Sequence, residues 1–298
     1  MVRSHPVAGA RSVWAIAAIG VLALAPAYAA RADDPPPTDK SAYSLLDPTP
    51  EDQLRSLCTD RPGKSTAPCT VDVGWWQLES DIYNVTLQRV AGVATTTQLF
   101  TNPTLKLGVT SALDLEAAIT PFEEVSVDDH GIVTRAEGVG DLYLRAKQAL
   151  IGDDAGDIGI AISPYIKIPT ASRSIGDGAV EEGVVAPIRL SLPHGWQLLF
   201  DPELDLLADS VGDGRHLNAI GLANLSRPVS KTITVSAELW VARNLDPEAP
   251  TTEVSADVNA TWIPPRQPNL QFDAGINFGL DRATPGEQLF VGISRRFR

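Results

Sequence analysis

The sequence predicts an all-β fold, an antiparallel transmembrane β-barrel of about twelve strands. Three observations carry that reading. The chain opens with an export signal. About twelve later segments alternate apolar and polar residues. The last of them closes on Phe297-Arg298.

The export signal comes first. Arg3 and Arg11 form a basic stretch, residues 14–25 an apolar one, and Ala27-Tyr28-Ala29 a small-x-small cleavage site. The apolar run falls short of the roughly 20 residues that a spanning helix needs. Residues 1–29 therefore read as a signal peptide, 30–72 as a periplasmic segment and 73–298 as the barrel. No later stretch is apolar enough for a transmembrane helix, so the exported chain is either soluble or crosses a membrane as strands. The net charge is −13, and two units more negative once Arg3 and Arg11 leave with the signal. Such an acidic chain excludes nucleic acid as a partner, because phosphates must be met by Lys and Arg.

Residues 33–40 are proline-rich and polar and predict an extended linker. A short helix is expected next: Thr49 can N-cap it, Pro50 suits its first position, and Leu54 and Leu57 give it an apolar stripe. Cys58 and Cys69 are the two cysteines, close together in an exported chain, and predict a disulfide-stapled loop. Within that loop Gly63-Lys64-Ser65 has the look of a phosphate-loop ending. The upstream glycine and following helix are missing, so no nucleotide site is expected. No metal site or cofactor is implied, since His5, His130, His194 and His216 are scattered.

From Trp75 onward the period is two. Ile233, Val235, Ala237, Leu239 and Val241 fall on one face; Thr234, Ser236, Glu238 and Trp240 fall on the other. Ile158, Ile160, Ile162, Ile166 and Ile168 alternate likewise with Gly159, Ser163, Tyr165 and Lys167. The strands are placed at 75–89, 96–110, 113–126, 138–151, 157–169, 181–192, 195–209, 214–227, 232–244, 251–263, 269–280 and 286–297. Most exceed the roughly 9–11 residues that a tilted strand needs to cross a bilayer, and their number is even.

The connections agree. Residues 111–112, 152–156, 193–194, 228–231 and 264–268 make short periplasmic turns; 127–137 and 170–180 make longer external loops. Trp75, Trp76, Trp196, Trp262 and Phe297 fall near the periplasmic rim, as an interfacial girdle does. A secreted β-sandwich also alternates, but it rarely needs so many long hairpins of one length.

With apolar residues on lipid, parity sends Glu79, Asp81, Lys106, Glu116, Asp141, Arg145, Lys147, Lys167, Arg189, Asp201, Glu203, Asp205, Glu238, Glu253, Asp257 and Asp273 into the lumen. These side chains either line a polar path or pair with one another and fill a narrow barrel. No catalytic residue is assigned and the chain is read as no enzyme. An outer-membrane lipid-acting hydrolase is the alternative, with His216, Ser210 and Asn218 as its candidates, but no nucleophile elbow occurs. Asp177, Glu181 and Glu182 are candidates for an external calcium site. A structural barrel without transport is a further alternative.

A family resemblance adds to this. Residues 59–65 and 71–81, then 102–108, 138–142, 167–171, 268–275 and 291–297, resemble in order the motifs of a family of outer-membrane transporters. That family is named for the meta-pathway of phenol degradation. The resemblance covers about residues 57 to 297. It implies an outer-membrane barrel of a Gram-negative bacterium that moves small, often hydrophobic or aromatic, compounds. Its partners would be outer-membrane lipid, the small-molecule solute and the barrel-insertion machinery. The stapled loop carries Arg61 and Lys64 beside an acid-rich lumen. A tethered tail that stays outside is the simpler expectation; the other is a plug whose cations meet Glu79 or Asp81.

Overall fold

Residues that alternate across a strand build a sheet with two unlike faces, and here that sheet closes on itself. The computed structural model describes residues 39–154 and 156–298; the export signal lies outside the described residues. The wall comprises β1 (Trp76–Val90), β2 (Val93–Leu99), β3 (Thr104–Thr110), β4 (Leu113–Ile119), β5 (Glu123–Asp129), β6 (Ile132–Gly138), β7 (Leu142–Ile151), β8 (Ile158–Ile168), β9 (Glu181–Val185), β10 (Ile188–Ser191), β11 (Gln197–Ala208), β12 (Arg215–Pro228), β13 (Ile233–Asn244), β14 (Thr251–Trp262), β15 (Leu270–Gly279) and β16 (Glu287–Phe297). Pairing throughout is antiparallel, and β1 pairs with β16 to close the ring, Trp76 opposite Phe297.

Four staves are interrupted, as β2/β3, β4/β5, β6/β7 and β9/β10, so the sixteen elements make a closed barrel of twelve. Pro103, Pro121 and Pro187 stand at three of the breaks. Proline has no N–H to give the ladder. Beyond its break β5 turns through His130 and Gly131, both at positive φ, and pairs with β6. The external loop expected at 127–137 is therefore corrected to a tight hairpin: its polar residues form the end of one strand and most of the next.

The two faces are inverted relative to a soluble protein. Outward residues such as Leu239 are exposed (50 %), while inward ones such as Asp257 are buried (1 %). Among outward positions Ile158, Leu204 and Val258 continue the apolar surface. That surface suits lipid, and the ladder that returns from β16 to β1 closes the ring behind it. Within β1 a bulge between Asp81 and Tyr83 shifts parity. Past it Asn84 is buried, and the ring of Tyr83 lies 5.4 Å from that of Phe100.

Trp76, Trp196, Trp262 and Phe297 are partly exposed at the rim where β1 begins and β16 ends. Trp75 is a correction to the expected girdle. It is buried, and its Nε1 donates to the Thr49 carbonyl at 2.8 Å. The expected helix shrinks to one 3₁₀ turn, Glu51–Gln53. Thr49 does not cap it; its N–H bonds the Val73 carbonyl at 3.1 Å and so ties the segment to the start of the wall.

Candidate functional site

The N-terminal segment does not hang free. It enters the barrel, and the simpler expectation of a tethered tail is overturned by its contacts. Cys58 and Cys69 are disulfide-bonded, with Cα atoms 6.5 Å apart. The loop they close offers almost no apolar side chain. It is seated instead by charge and hydrogen bonds, and a buried donor or acceptor left unmet there would carry its full desolvation cost.

Asp60 faces one side of the wall. Its carboxylate lies 2.5 Å from Lys106 Nζ and 2.7 Å from Lys147 Nζ, and its own N–H donates to Glu79 at 3.0 Å. Glu79 pairs with Lys106 at 2.6 Å, and Glu116 with Lys147 at 3.3 Å and Arg145 at 3.6 Å. Burial alone would raise the Asp60 carboxyl, but the two lysine ammonium groups outweigh it and hold it well below the usual carboxylate range.

The next residues face other staves. Arg61 bridges Asp81 (2.7 Å) and Asp273 (2.8 Å). Gly292 leaves room for that guanidinium, since a Cβ there would collide with it. Lys64 Nζ donates to Ser255 Oγ at 2.8 Å and to Asp257 at 2.9 Å, 5.3 Å from the centre of the Trp240 ring. Glu238 accepts the Lys64 N–H at 3.0 Å and the Ser65 hydroxyl at 2.6 Å. The Thr66 N–H donates to Asp201 at 2.6 Å. These partners lie a few residues in from the periplasmic ends of their strands, so the loop spans the lumen at one level.

Below it a second cluster holds the neck. Asp72, buried, accepts from Lys40 (3.0 Å), the Arg55 N–H (3.0 Å) and Arg296 of β16 (3.1 Å). Arg55 also reaches Asp154 (2.8 Å) and Asp153 (3.2 Å) in the turn after β7. Burial would raise the Asp154 carboxyl, yet the Arg55 hydrogen bond and charge lower it.

Other candidates lie elsewhere. Lys167 joins Asp177 (2.6 Å), Glu181 (2.7 Å) and Asp141 (3.8 Å) near the outer end of β8. The acids weighed as calcium candidates are engaged otherwise: a lysine ammonium sits between Asp177 and Glu181. Among the described residues no group of His, Cys, Asp and Glu is arranged to hold a metal. Asp205 accepts from the Tyr165 hydroxyl (2.8 Å) and Asn218 (2.9 Å), and Glu203 precedes it on the same face. Arg189 turns to the carbonyls of Gly152 (3.2 Å) and Gly156 (3.4 Å). Glu253 lines a pocket of about 120 Å³ with Asn218, Trp240, Ala242, Asn244 and Thr251.

The hydrolase candidates do not assemble. His216 Nδ1 meets Asp209 at 2.8 Å, but its buried Nε2 has no hydrogen-bond partner, so no serine is poised against it. Ser210 is engaged through its own N–H with Asp246 at 2.8 Å. Sequence reasoning did not single out Asp60 or Trp240. For Trp240 the signal was present, since it shares parity with Glu238; for Asp60, nothing local marks its distant lysine partners.

The profile of the family described as "Putative MetA-pathway of phenol degradation" matches residues 59–297. No curated protein matches the sequence. An outer membrane channel from Pseudomonas putida F1 superposes with a TM-score of 0.63 at 16% identity, covering 80% of this chain and 99% of that one. The β domain of a Bordetella autotransporter gives 0.49 at 12% identity, covering 76% and 100%. The translocator domain of a Neisseria meningitidis autotransporter gives 0.46 at 16% identity, covering 75% and 88%. The first of these likenesses shows the fold, an outer-membrane β-barrel.

Proposed function

The chain belongs to the family of the MetA-pathway of phenol degradation, and from that premise we propose that it is a channel for small hydrophobic or aromatic compounds, held shut by its own N-terminal segment. The barrel sits in the outer membrane of a Gram-negative bacterium. In this reading residues 1–29 are an export signal, and the insertion machinery that recognises barrels places the wall in the membrane.

One observation supports closure by a movable part: the loop is seated by ion pairs and hydrogen bonds. Asp60 meets lysines, while Arg61 and Lys64 meet carboxylates. Such contacts exchange for water at small net cost, whereas an apolar core would not. A wall whose inner surface remains polar without the loop is a wettable path.

Planar-bilayer conductance tests this. The full chain is expected to conduct weakly. Deleting residues 33–70 exposes Glu79, Asp81, Glu238, Asp257 and Asp273, and is expected to raise conductance with a preference for cations. Phenol-like aromatics are expected to block the open form. Equal, negligible conductance of both forms would overturn the proposal, and release of fatty acid from phospholipid would replace it with the hydrolase.

A further inference from the structure

Lys64 is the loop's contact that most resembles a bound ligand. Its ammonium lies between a carboxylate, a hydroxyl and the face of an indole: Asp257 at 2.9 Å, Ser255 Oγ at 2.8 Å and the Trp240 ring centre at 5.3 Å. An indole face attracts an organic cation through its quadrupole, and a carboxylate beside it supplies the charge. The pattern comes from strand register. Along the lumenal face of β13 and β14, Ala242 stands opposite Glu253, Trp240 opposite Ser255, and Glu238 opposite Asp257. The column thus carries three carboxylates around one indole.

The carboxylates are not equally committed to the loop. Glu238 spends its oxygens on the Lys64 N–H, the Ser65 hydroxyl and Asn224. Asp257 is buried (1 %), gives one oxygen to Lys64 and leaves Oδ1 with no hydrogen-bond partner. Asn259, the next inward residue of β14, is buried with neither amide atom partnered. The carboxylate oxygen without a partner marks a place equipped for more polar contact than one lysine makes; Asn259 lies on the periplasmic side of Asp257, away from Glu253. Beyond the ammonium lies the pocket of about 120 Å³ that shares Trp240 and adds Asn218, Asn244 and Glu253. Its size approaches that of the roughly 150 Å³ cavities that hold a benzene ring.

We propose that the Trp240–Ser255–Asp257 cage is a binding site for small organic ammonium compounds, and that Lys64 occupies it as a tethered surrogate ligand. The ligand's ammonium takes the place of the Lys64 ammonium, its ring or chain rests in the adjoining pocket, and the loop loses its hold on β14. The inference rests on the reading of the barrel as a solute channel and names a solute class for it.

The test is calorimetric titration of the full-length protein in detergent with benzylamine, beside benzyl alcohol as a neutral analogue and benzoate as an anionic one. Benzylamine is expected to bind at least about tenfold more tightly than either analogue. Lys64→Ala removes the internal competitor and is expected to tighten benzylamine about tenfold. Asp257→Asn and Trp240→Ala are each expected to weaken it by about tenfold or more. Where Lys64→Ala loses the heat-dependent gel shift of a folded barrel, Lys64→Met keeps the stem and serves instead. Equal binding of benzylamine and benzyl alcohol overturns the proposal, as does a lysine-free variant whose benzylamine affinity is unchanged. Binding in detergent needs no passage. A barrel that binds benzylamine but conducts nothing fails the channel reading and keeps the cage; one that conducts and ignores benzylamine fails the cage alone.

Discussion

The wall and the loop inside it are held by different physics. The wall is closed by backbone ladders, with β1 returning to β16, and its side chains are sorted by solvent. The loop has no ladder of its own and is held by side chains: Asp60, Arg61, Lys64, Ser65 and their partners. The wall's stability therefore depends on which face a residue occupies. The loop's seat depends on whether each charge finds its partner. Perturbations ought to separate the two.

The largest effect is expected from Asp60→Ala. It leaves Lys106 and Lys147 facing each other with one carboxylate fewer, and breaking a buried pair from one side costs about 3–5 kcal/mol. The loss falls on the seat of the loop, so conductance should rise while the heat-dependent gel shift of the wall persists. If the gel shift disappears with it, the two parts are one cooperative unit.

Leu239→Arg attacks the wall alone. Arginine facing lipid near the midplane costs about 2–4 kcal/mol, and the folded, heat-modifiable fraction should fall. Arginine at Ser236, on the lumenal face of the same strand, should be tolerated better. Equal sensitivity of the two positions would mean that the outer face is not in lipid.

Reduction of the Cys58–Cys69 bond tests the loop more gently. Closing so short a loop removes about 2–3 kcal/mol of unfolded-chain entropy. Reduced protein should be cut by trypsin after Lys64 faster than oxidised protein, with the wall's gel shift unchanged.

Acid should do least. The Asp60 carboxyl titrates below its ordinary range, so its contribution is present above that range and lost only as pH falls through the depressed value. Conductance of the full chain should stay low from pH 7 down to about 4, where an unpaired carboxylate would already be protonating. Opening near pH 5 would show that some other carboxylate carries the seat.

The wall was legible because alternation is a local signal. Ile233 to Val241 against Thr234 to Trp240 reports two faces within one strand. Legibility failed where a local rule was broken. The polar, glycine-bearing stretch around His130 reads as a loop, yet two positive-φ residues turn it in place and let β5 and β6 pair. Trp75 reads as a rim aromatic, but it sits on the inward side next to Trp76 and finds a carbonyl there. The bulge after Asp81 moves later residues of β1 to the other face. The loop's seat was visible only as possibility. Arg61 and Lys64 announce charge, but Arg61 meets Asp273 across 212 residues of chain, and no periodicity reports such a distance.

Asp72 also joins the two ends of the sequence in time. It stands just ahead of the first strand, and its Arg296 partner lies on the strand that closes the ring. During biogenesis the loop emerges first and the arginine that pins its neck emerges last. The neck is thus fastened by the same strand that seals the barrel. Without β16 the ring stays open between β1 and β15 and Asp72 loses one of its three donors, so the strand that seals the barrel also completes the neck.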